Sequence, residues 1–285
     1  MTDVQAIGTM VRELDTPALL VDLEAMDRNL KRMAERLAEG PLRLRPHAKT
    51  HKSPILARKQ MDLGAMGICC QKPSEAEVMV AGGVTDILVS SEVASPAKLR
   101  RLAALAFHAR LLVVVDHRRG AEMLSEAVSA SGVKIDVLVD VDVGQERCGT
   151  RPGEAAAELG KYADGLPGLS LRGFQAYEGR AQHVEGFENR RRVYGEAIGR
   201  VRETAGAFER AGLSAEVRSG GGTGTWRWDL EAGALTELQA GSYIFMDAHY
   251  RSIGGPDGPV YDDFEPSLFV LSTVVSAPAS DRAVV

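Results

Sequence analysis

Cysteine is scarce in this chain, which has only three among its 285 residues. Cys69 and Cys70 are adjacent, which is too close for easy bridging, and Cys148 lies far along the chain. No CxxC pair is present to bind zinc or to form a redox dithiol. The cysteine content therefore favours a protein of the reducing cytoplasm.

Long apolar runs and an excess of positive charge are also missing. No stretch of about 18 apolar residues occurs, and the N-terminal segment lacks the apolar core of a signal peptide, so we predict neither a membrane span nor a secretory signal. The formal net charge is −5, with basic and acidic residues interspersed. Without a basic stripe, binding to nucleic acid or to an anionic membrane is not expected.

The sequence does contain a repeat of short, β-branched apolar runs. Eight of them begin at Leu42, Met66, Asp86, Leu111, Ile135, Leu171, Ala215 and Glu237. Segments with helical spacing lie between the runs and mostly end at glycine, as in GAEMLSEAVSASG and GEAAAELGKYADG. This alternation indicates parallel strands joined by crossover helices. We therefore predict an α/β fold, a closed (β/α)8 TIM-type barrel spanning residues 24–250.

Two strand-like pieces lie outside this repeat, at Thr16–Leu23 and Ser267–Val285. They could pair in a second, β-rich domain built from residues 1–23 and 251–285. So few strands cannot bury a sheet, and the sequence stops within an apolar run. The expectation is therefore that this second domain is incomplete, with a C-terminal portion truncated.

The first chemical signal is the segment LRLRPHAKT, which contains the first predicted strand and the residues directly after it. Strand alternation places Arg43, Arg45, His47 and Lys49 on one face, which predicts several cations inside the barrel. A buried lysine amine is readily perturbed and can form a Schiff base with a carbonyl cofactor. The alternative is that this segment is an exposed basic loop.

The second signal is a glycine-rich run after the seventh predicted strand, consisting of Ser219, Gly220, Gly221, Gly222, Thr223, Gly224 and Thr225. Glycines allow backbone amides to approach a phosphate, and the hydroxyls add donors, although a flexible connection is the alternative. Pyridoxal 5′-phosphate (PLP) needs one protein group at each end. The combination of Lys49 with this run therefore predicts PLP as the cofactor.

Other polar residues follow the remaining strands, where a barrel places its active site. Gln175 and Tyr177 follow the sixth strand, with His183 a few residues later; Tyr177 could be only a rim contact, and His183 a surface or core histidine. Arg147 follows the fifth strand beside acidic residues with which it could form an ion pair. The eighth strand leads into Gly241, Ser242 and Tyr243.

The ordered motifs DTPALLVDL, RPHAKTHK, GICCQKPSEAE, DVDVGQERCG, GFQAYEG, SGGGTGT and TELQAGSYIFMD resemble those of the D-threonine aldolase family. That family lies within the alanine racemase-like fold type III PLP enzymes, together with D-serine dehydratases and 3-hydroxy-D-aspartate aldolases. The resemblance extends over Thr16–Val285.

The resemblance implies a role for most of the residues named above. Lys49 would carry PLP as a Schiff base, and Ser219–Gly222 with Tyr243 nearby would hold the phosphate. Arg147 would lie near the cofactor ring, and Tyr177 would face the substrate.

His183 matches the position of the base for the substrate β-hydroxyl. The family also uses a divalent metal, manganese or magnesium, whose ligands lie in a C-terminal motif that is absent here. We therefore assign no metal ligand in this sequence. A homodimer is expected from the same resemblance.

The implied reaction is a retro-aldol cleavage of D-threonine and related D-3-hydroxy amino acids to glycine and an aldehyde. A D-serine dehydratase or an amino-acid racemase on the same barrel is an alternative. A non-catalytic PLP-binding protein that regulates cofactor supply is a third hypothesis, but such single-domain relatives lack the flanking strands at Thr16 and Ser267.

Overall fold

The computed structural model describes residues 7–38 and 40–285. Its strands are β1 (Ala18–Val21), β2 (Arg43–Leu44), β3 (Ile68–Cys70), β4 (Asp86–Val89), β5 (Arg110–Val115), β6 (Ile135–Asp140), β7 (Leu169–Ala176), β8 (Val217–Gly220), β9 (Glu237–Leu238), β10 (Leu268–Leu271), β11 (Ser276–Ala279) and β12 (Arg282–Val284). Its helices are α1 (Leu23–Ala38), α2 (Pro54–Asp62), α3 (Pro73–Ala81), α4 (Pro96–Leu105), α5 (Arg118–Ser131), α6 (Glu154–Asp164), α7 (Phe187–Arg210), α8 (Trp226–Ala232) and α9 (Ala248–Ser252).

Strands β2 to β9 form one parallel sheet in the order β2-β9-β8-β7-β6-β5-β4-β3. The two ends of this sheet meet, because Met66 N donates to the Leu44 carbonyl and Cys69 N to the Pro46 carbonyl, both at 2.9 Å. The sheet is therefore a closed barrel. The predicted α/β barrel is confirmed, and all eight predicted strands lie where the apolar runs placed them.

Helix α5 shows how local sequence determines these elements. At its start, His117 Nδ1 accepts a hydrogen bond from the backbone amide of Arg119 at 3.1 Å. Leu124 and Val128 then recur at helical spacing and are buried. The helix ends at Gly132, whose φ of 67° is a left-handed conformation that glycine adopts without strain.

Nowhere in the described ranges is a helix long and apolar enough to cross a bilayer.

Apolar side chains fill both sides of the barrel wall. The interior cluster contains Cys69, Leu88, Leu112, Val114, Leu138 and Val217. Side chains alternate along each strand, so Ile87 and Val137 instead join the larger core beneath the helices. Burial raises the pKa of the Cys69 thiol well above its usual range, which keeps it protonated as a packing group.

Charged residues close the barrel at the end where the strands begin. Arg45 is fully buried and donates from Nε and Nη2 to Glu237 at 2.9 and 3.0 Å, and it also pairs with Asp86. Arg110 adds two further ion pairs, to Asp86 at 3.1 Å and to Asp136 at 3.0 Å. This end of the barrel is thus occupied by ion pairs, and the site lies at the opposite end.

The prediction that four cations of LRLRPHAKT point into the barrel is only partly right. Arg45 and His47 are buried. Arg43 is exposed, because it is the first residue of β2 and lies outside the ion pairs that close this end of the barrel. Lys49 comes after the end of β2 and is exposed at the opposite mouth.

The flanking segments pair with each other outside the barrel. Strand β1 lies antiparallel to β10, with Ala18 opposite Leu271, and β11 pairs with β12 as a hairpin. Ser267 anchors this ribbon, because its carbonyl accepts from Asp22 N at 2.8 Å. The division into a barrel at 24–250 and a second domain from 1–23 and 251–285 stays a prediction, and residues 1–6 lie outside the described residues.

Candidate active site

The floor of the site is a network of side chains at the C-terminal ends of the strands. Gln175 is buried and donates from Nε2 to Asp140 Oδ1 at 2.7 Å and to the Ser90 carbonyl at 3.1 Å. Gln239 Nε2 donates to Gln175 Oε1 and to Ser219 Oγ, both at 3.0 Å. These bonds fix the orientation of both amides, so the floor is a preorganised polar surface.

Lys49 lies just beyond β2, in a short 3-10 helix, Ala48–Thr50. Ala48 is fully buried and holds this turn against the barrel, whereas Lys49 remains exposed at the mouth. Partial burial of the amine, followed by the nearby Arg147 guanidinium, lowers the pKa of Lys49. A lower pKa increases the fraction of neutral amine, which is the nucleophilic form.

His47 is a buried neighbour of Lys49. Its Nδ1 accepts from the backbone amide of Lys49 at 3.3 Å, and its Nε2 lies 3.0 Å from Ser90 Oγ. Burial, then the charges of Lys49 and Arg147, holds the pKa of His47 well below its usual range. The ring is therefore neutral with its proton on Nε2, where it donates to Ser90.

Lys49, Arg147 and Tyr177 meet at one cavity. Lys49 Nζ lies 5.5 Å from the centroid of the Tyr177 ring, and Arg147 Cζ lies 5.8 Å from the same centroid. The cavity is lined by His47, Lys49, Gln71, Ser90, Ser91, Arg147, Gln175, Tyr177 and Gln239. Burial raises the pKa of the Tyr177 phenol, so this hydroxyl is a hydrogen-bond donor at neutral pH.

Arg147 does not form the loop ion pair that the sequence left open. Asp142 Oδ1 instead accepts from the backbone amides of Gly144 and Glu146 at 2.9 and 3.0 Å, which stabilises the loop that carries Arg147. No salt bridge to Arg147 is present in the described part of the chain, so its guanidinium is available to the cavity.

The glycine run forms a tight loop after β8. A Cβ on Gly220 would lie 2.2 Å from the Ala176 carbonyl oxygen, and one on Gly222 would lie 2.5 Å from Gln182 Oε1. Gly221 has a φ of 66°. Since side chains are excluded, the backbone itself forms the surface of this loop, as a phosphate cradle requires.

A second loop, Gly241–Tyr243, lies against the first. Tyr243 N donates to Thr223 Oγ1 at 3.0 Å. A Cβ on Gly241 would lie 2.8 Å from Thr50 Oγ1, so this loop also contacts the turn that carries Lys49. The two predicted halves of the site are thus adjacent, with the half-buried Ser242 between them.

The Tyr243 phenol points away from these loops. It is buried, and its oxygen accepts a hydrogen bond from Gln60 Nε2 at 2.8 Å on helix α2. Both the phenol and the backbone amide of Tyr243 thus already have hydrogen-bond partners, Gln60 and Thr223.

His183 ends a 3-10 helix, Ala181–His183, and is exposed; it does not line the cavity, but the charge of Lys49 acts on its pKa. Its ring stacks on His249 with centroids 4.5 Å apart, and it lies 4.7 Å from the Tyr250 ring. Partial burial and then His249 lower the pKa of His183, while Asp247 opposes the shift. The ring is therefore suited to accept a proton at neutral pH.

Among the residues that the structure describes, three non-glycine residues adopt left-handed backbone conformations: Lys52, Glu146 and Met246, with φ of 53°, 56° and 52°. Each lies within three residues of a predicted site residue. Such conformations are uncommon and concentrate at functional sites. Their positions agree with the location of the cavity.

These residues fit PLP. The cofactor's aldehyde requires an amine of lowered pKa, which Lys49 provides. For its phosphate, the loop of Gly220–Thr223 offers closely packed backbone that excludes side chains, although these buried residues do not line the cavity that Lys49 lines. No metal site accompanies them: in residues 7–38 and 40–285, no group of three or more His, Cys, Asp or Glu is placed to hold a metal ion.

Sequence reasoning missed part of the floor. Asp140, Ser90 and Gln239 received no role, although each lies at or just after the end of a predicted strand. Strand alternation was the available signal, because Gln239 follows the outward Leu238 and therefore faces inward.

The family model "Alanine racemase, N-terminal domain" matches residues 21–249. A D-threonine aldolase from Arthrobacter sp is 44% identical over 277 residues, which are 97% of this chain and 72% of that protein. A 3-hydroxy-D-aspartate aldolase from Paracoccus denitrificans (strain Pd 1222) is 40% identical over 288 residues, 99% of this chain and 74% of that protein.

Solved structures agree with these matches. The crystal structure of a D-threonine aldolase from Filomicrobium marinum has a TM-score of 0.89 at 44% identity and covers 94% of this chain and 72% of its own. A D-threo-3-hydroxyaspartate dehydratase from Delftia sp. HT23 has a TM-score of 0.80 at 32% identity and covers 92% of this chain and 68% of its own. A mutant of that dehydratase is known in a metal-free form.

Fold and site together define an enzyme on the barrel of the alanine racemase-like PLP proteins. This chain belongs to the alanine racemase N-terminal domain family and, within it, to the D-threonine aldolase group. The family and the lyase class predicted from the motifs are confirmed. The roles of individual site residues stay predictions.

Proposed function

We propose that the protein is a PLP-dependent carbon–carbon lyase that cleaves D-threonine and related D-3-hydroxy amino acids to glycine and an aldehyde. The supporting observation is the convergence of Lys49, Arg147 and Tyr177 at one cavity. Two relatives that match nearly the whole chain, at 44% and 40% identity, are aldolases.

Lys49 would hold the cofactor through its amine, and the loops Gly220–Thr223 and Gly241–Tyr243 would receive the phosphate. When bound, PLP supplies an electron sink for the pair left on Cα after the Cα–Cβ bond breaks. Gln175 and Gln239 hold the floor in one orientation, and Arg147, which lines the cavity, would bind a ring substituent.

His183 is the proposed base. As a neutral imidazole it would accept the proton of the substrate β-hydroxyl, and departure of that proton drives cleavage of the Cα–Cβ bond. Tyr177, whose phenol stays protonated, would donate a hydrogen bond to the substrate and limit its orientation in the cavity.

A dehydratase is the second candidate, because the structure of a D-threo-3-hydroxyaspartate dehydratase covers 92% of this chain. A D-serine dehydratase or racemase would use the same lysine and phosphate loop. The aldolase is favoured because both aldolases are more similar to this chain, at 44% and 40% identity against 32%.

Three finer features belong to the same proposal. We propose a requirement for manganese or magnesium, supported by the resemblance and by the metal-free form of one relative, with ligands outside the residues described here. We also propose a homodimer and a cytoplasmic location, the latter supported by three unpaired cysteines.

Product analysis tests the proposal. The protein is incubated with PLP, manganese and D-threonine, and glycine plus acetaldehyde are measured against 2-oxobutanoate plus ammonia. We expect glycine and acetaldehyde, no product with Lys49→Ala, and unchanged products with Lys52→Ala as the matched control. Formation of the keto acid would identify a dehydratase, and product from Lys49→Ala would contradict the assigned lysine.

A further inference from the structure

A carboxylic acid lies buried directly behind the glycine loop. Asp229, on helix α8, is 1% exposed, and a Cβ on Gly221 would lie 2.3 Å from its Oδ2. Helix α8 follows the loop without a break, so Asp229 and the loop occupy one short stretch of chain. Asp229 is not among the residues that line the cavity of Lys49.

Thr225 links Asp229 to the loop through hydrogen bonds in which each donor is determined. Thr225 Oγ1 accepts from Gly222 N at 3.2 Å and from Gln182 Nε2 at 3.0 Å, and both of these groups are donors. Its own hydroxyl proton is therefore committed to Asp229 Oδ2, 2.7 Å away. The charge state of Asp229 thus acts on the Gly222 amide both through the Thr225 hydroxyl and directly, because that amide also hydrogen-bonds the carboxylate.

The groups around Asp229 do not neutralise it. Tyr194 faces it from α7, hydrogen-bonds the carboxyl and also donates to the Trp228 carbonyl at 2.8 Å, while Glu178 lines the same cavity. Arg190, also on α7, donates to the Gly224 carbonyl at 3.1 Å and to other carbonyls. Within the described residues, no cation forms a salt bridge with Asp229.

A negative charge behind a phosphate-binding loop opposes the phosphate. A phosphoryl group carries between one and two negative charges near neutral pH, and a buried carboxylate is poorly screened from it. Burial raises the pKa of Asp229 to about 7, opposed by hydrogen bonds from Thr225, Tyr194 and the Gly222 amide, in that order. Both the neutral and the ionised acid are therefore accessible near physiological pH.

We propose that Asp229 is a proton-linked positioning residue of the phosphate loop: its neutral form favours a phosphoryl group in the cradle, and its ionised form weakens that binding. The inference rests on the proposed PLP site and adds a regulation to it. Cofactor affinity then decreases as the pH rises through the pKa of Asp229, by at most about tenfold per pH unit for one proton.

The test is equilibrium binding of PLP to the apoprotein, followed by absorbance or fluorescence from about pH 6 to about pH 9, on either side of the pKa of about 7. Wild type is compared with Asp229→Asn, which can still accept from Thr225. Ionisation of the phosphate and of Lys49 is common to both proteins, so it cancels in the ratio of their dissociation constants. We expect this ratio to rise several-fold with pH.

Two controls make the result specific. Pyridoxal, which lacks the phosphate, should give a ratio that does not change with pH. Glu178→Gln, which neutralises the other carboxylate of the cavity, should keep the wild-type pH dependence.

Thr225→Val removes the donor to Asp229, so the decrease in affinity should begin at a higher pH, and this variant serves if Asp229→Asn does not fold.

A wild-type to Asp229→Asn ratio that stays constant across the pH range would overturn the inference while leaving the PLP site intact. Absence of Lys49-dependent binding of both PLP and pyridoxal would instead overturn the proposed function, and the inference with it.

Discussion

The imidazole rings of His183 and His249 stack with their centroids 4.5 Å apart and their planes 13° apart. His183 comes from the loop after β7, and His249 from α9, which follows the barrel. The contact thus joins the proposed base to a residue for which the sequence suggested no role.

Replacing His249 by alanine should raise the pKa of His183, because partial burial and then His249 are what lower it. A base must be deprotonated to act, so the acidic limb of the profile of kcat/KM against pH should move to higher pH. Asp247→Asn should move the limb in the opposite direction, since Asp247 favours the protonated ring. Profiles that coincide for the three proteins would show that His183 is not the titrating base.

Gly220→Ala should weaken cofactor binding and destabilise the barrel by about 1–3 kcal/mol, because overpacked side chains force the backbone to move. The added Cβ would meet the Ala176 carbonyl oxygen at 2.2 Å, which is backbone and cannot turn aside. Gly120→Ala is the matched control, since a Cβ there has open space within helix α5. Chemical denaturation and PLP titration measure both effects, and equal stabilities of the two variants would contradict the steric account.

Arg45→Met should lower the free energy of unfolding by about 3–5 kcal/mol, because it leaves Glu237 charged and unpaired in the interior. The double variant Arg45→Met with Glu237→Leu should lose less than the sum of the single changes. Arg101→Met breaks an exposed pair with Glu77 and should change stability much less. Additive losses in urea denaturation would show that the two residues do not interact.

The strand and helix order of the barrel could be predicted because buried parallel strands are continuous apolar runs and the crossover helices end at glycine. Lys49 and the run Gly220–Gly222 could be selected from the sequence because a lysine on a barrel strand and consecutive glycines have few other uses, and their roles stay predictions. The contact of His183 with His249 could not be found this way, because the two residues are distant in sequence and one follows the barrel.

The position of Asp229 could not be predicted from the sequence either, although it lies only eight residues from Gly221. Its sequence neighbours Trp228 and Leu230 suggest an ordinary helix, and only the fold shows that its carboxyl lies behind Gly221. The prediction that Arg43 points inward was wrong for a related reason, since alternation gives the face of a strand but not its depth in the barrel.

The most direct test of the central claim is to identify the lysine that binds PLP. The protein is incubated with PLP, reduced with borohydride, digested and sequenced by mass spectrometry, with Lys49→Ala and Lys52→Ala treated in parallel. We predict a pyridoxyl group on Lys49 in wild type and in Lys52→Ala, and none in Lys49→Ala. Stoichiometric labelling of another lysine in wild type, or undiminished labelling of Lys49→Ala, would contradict the account.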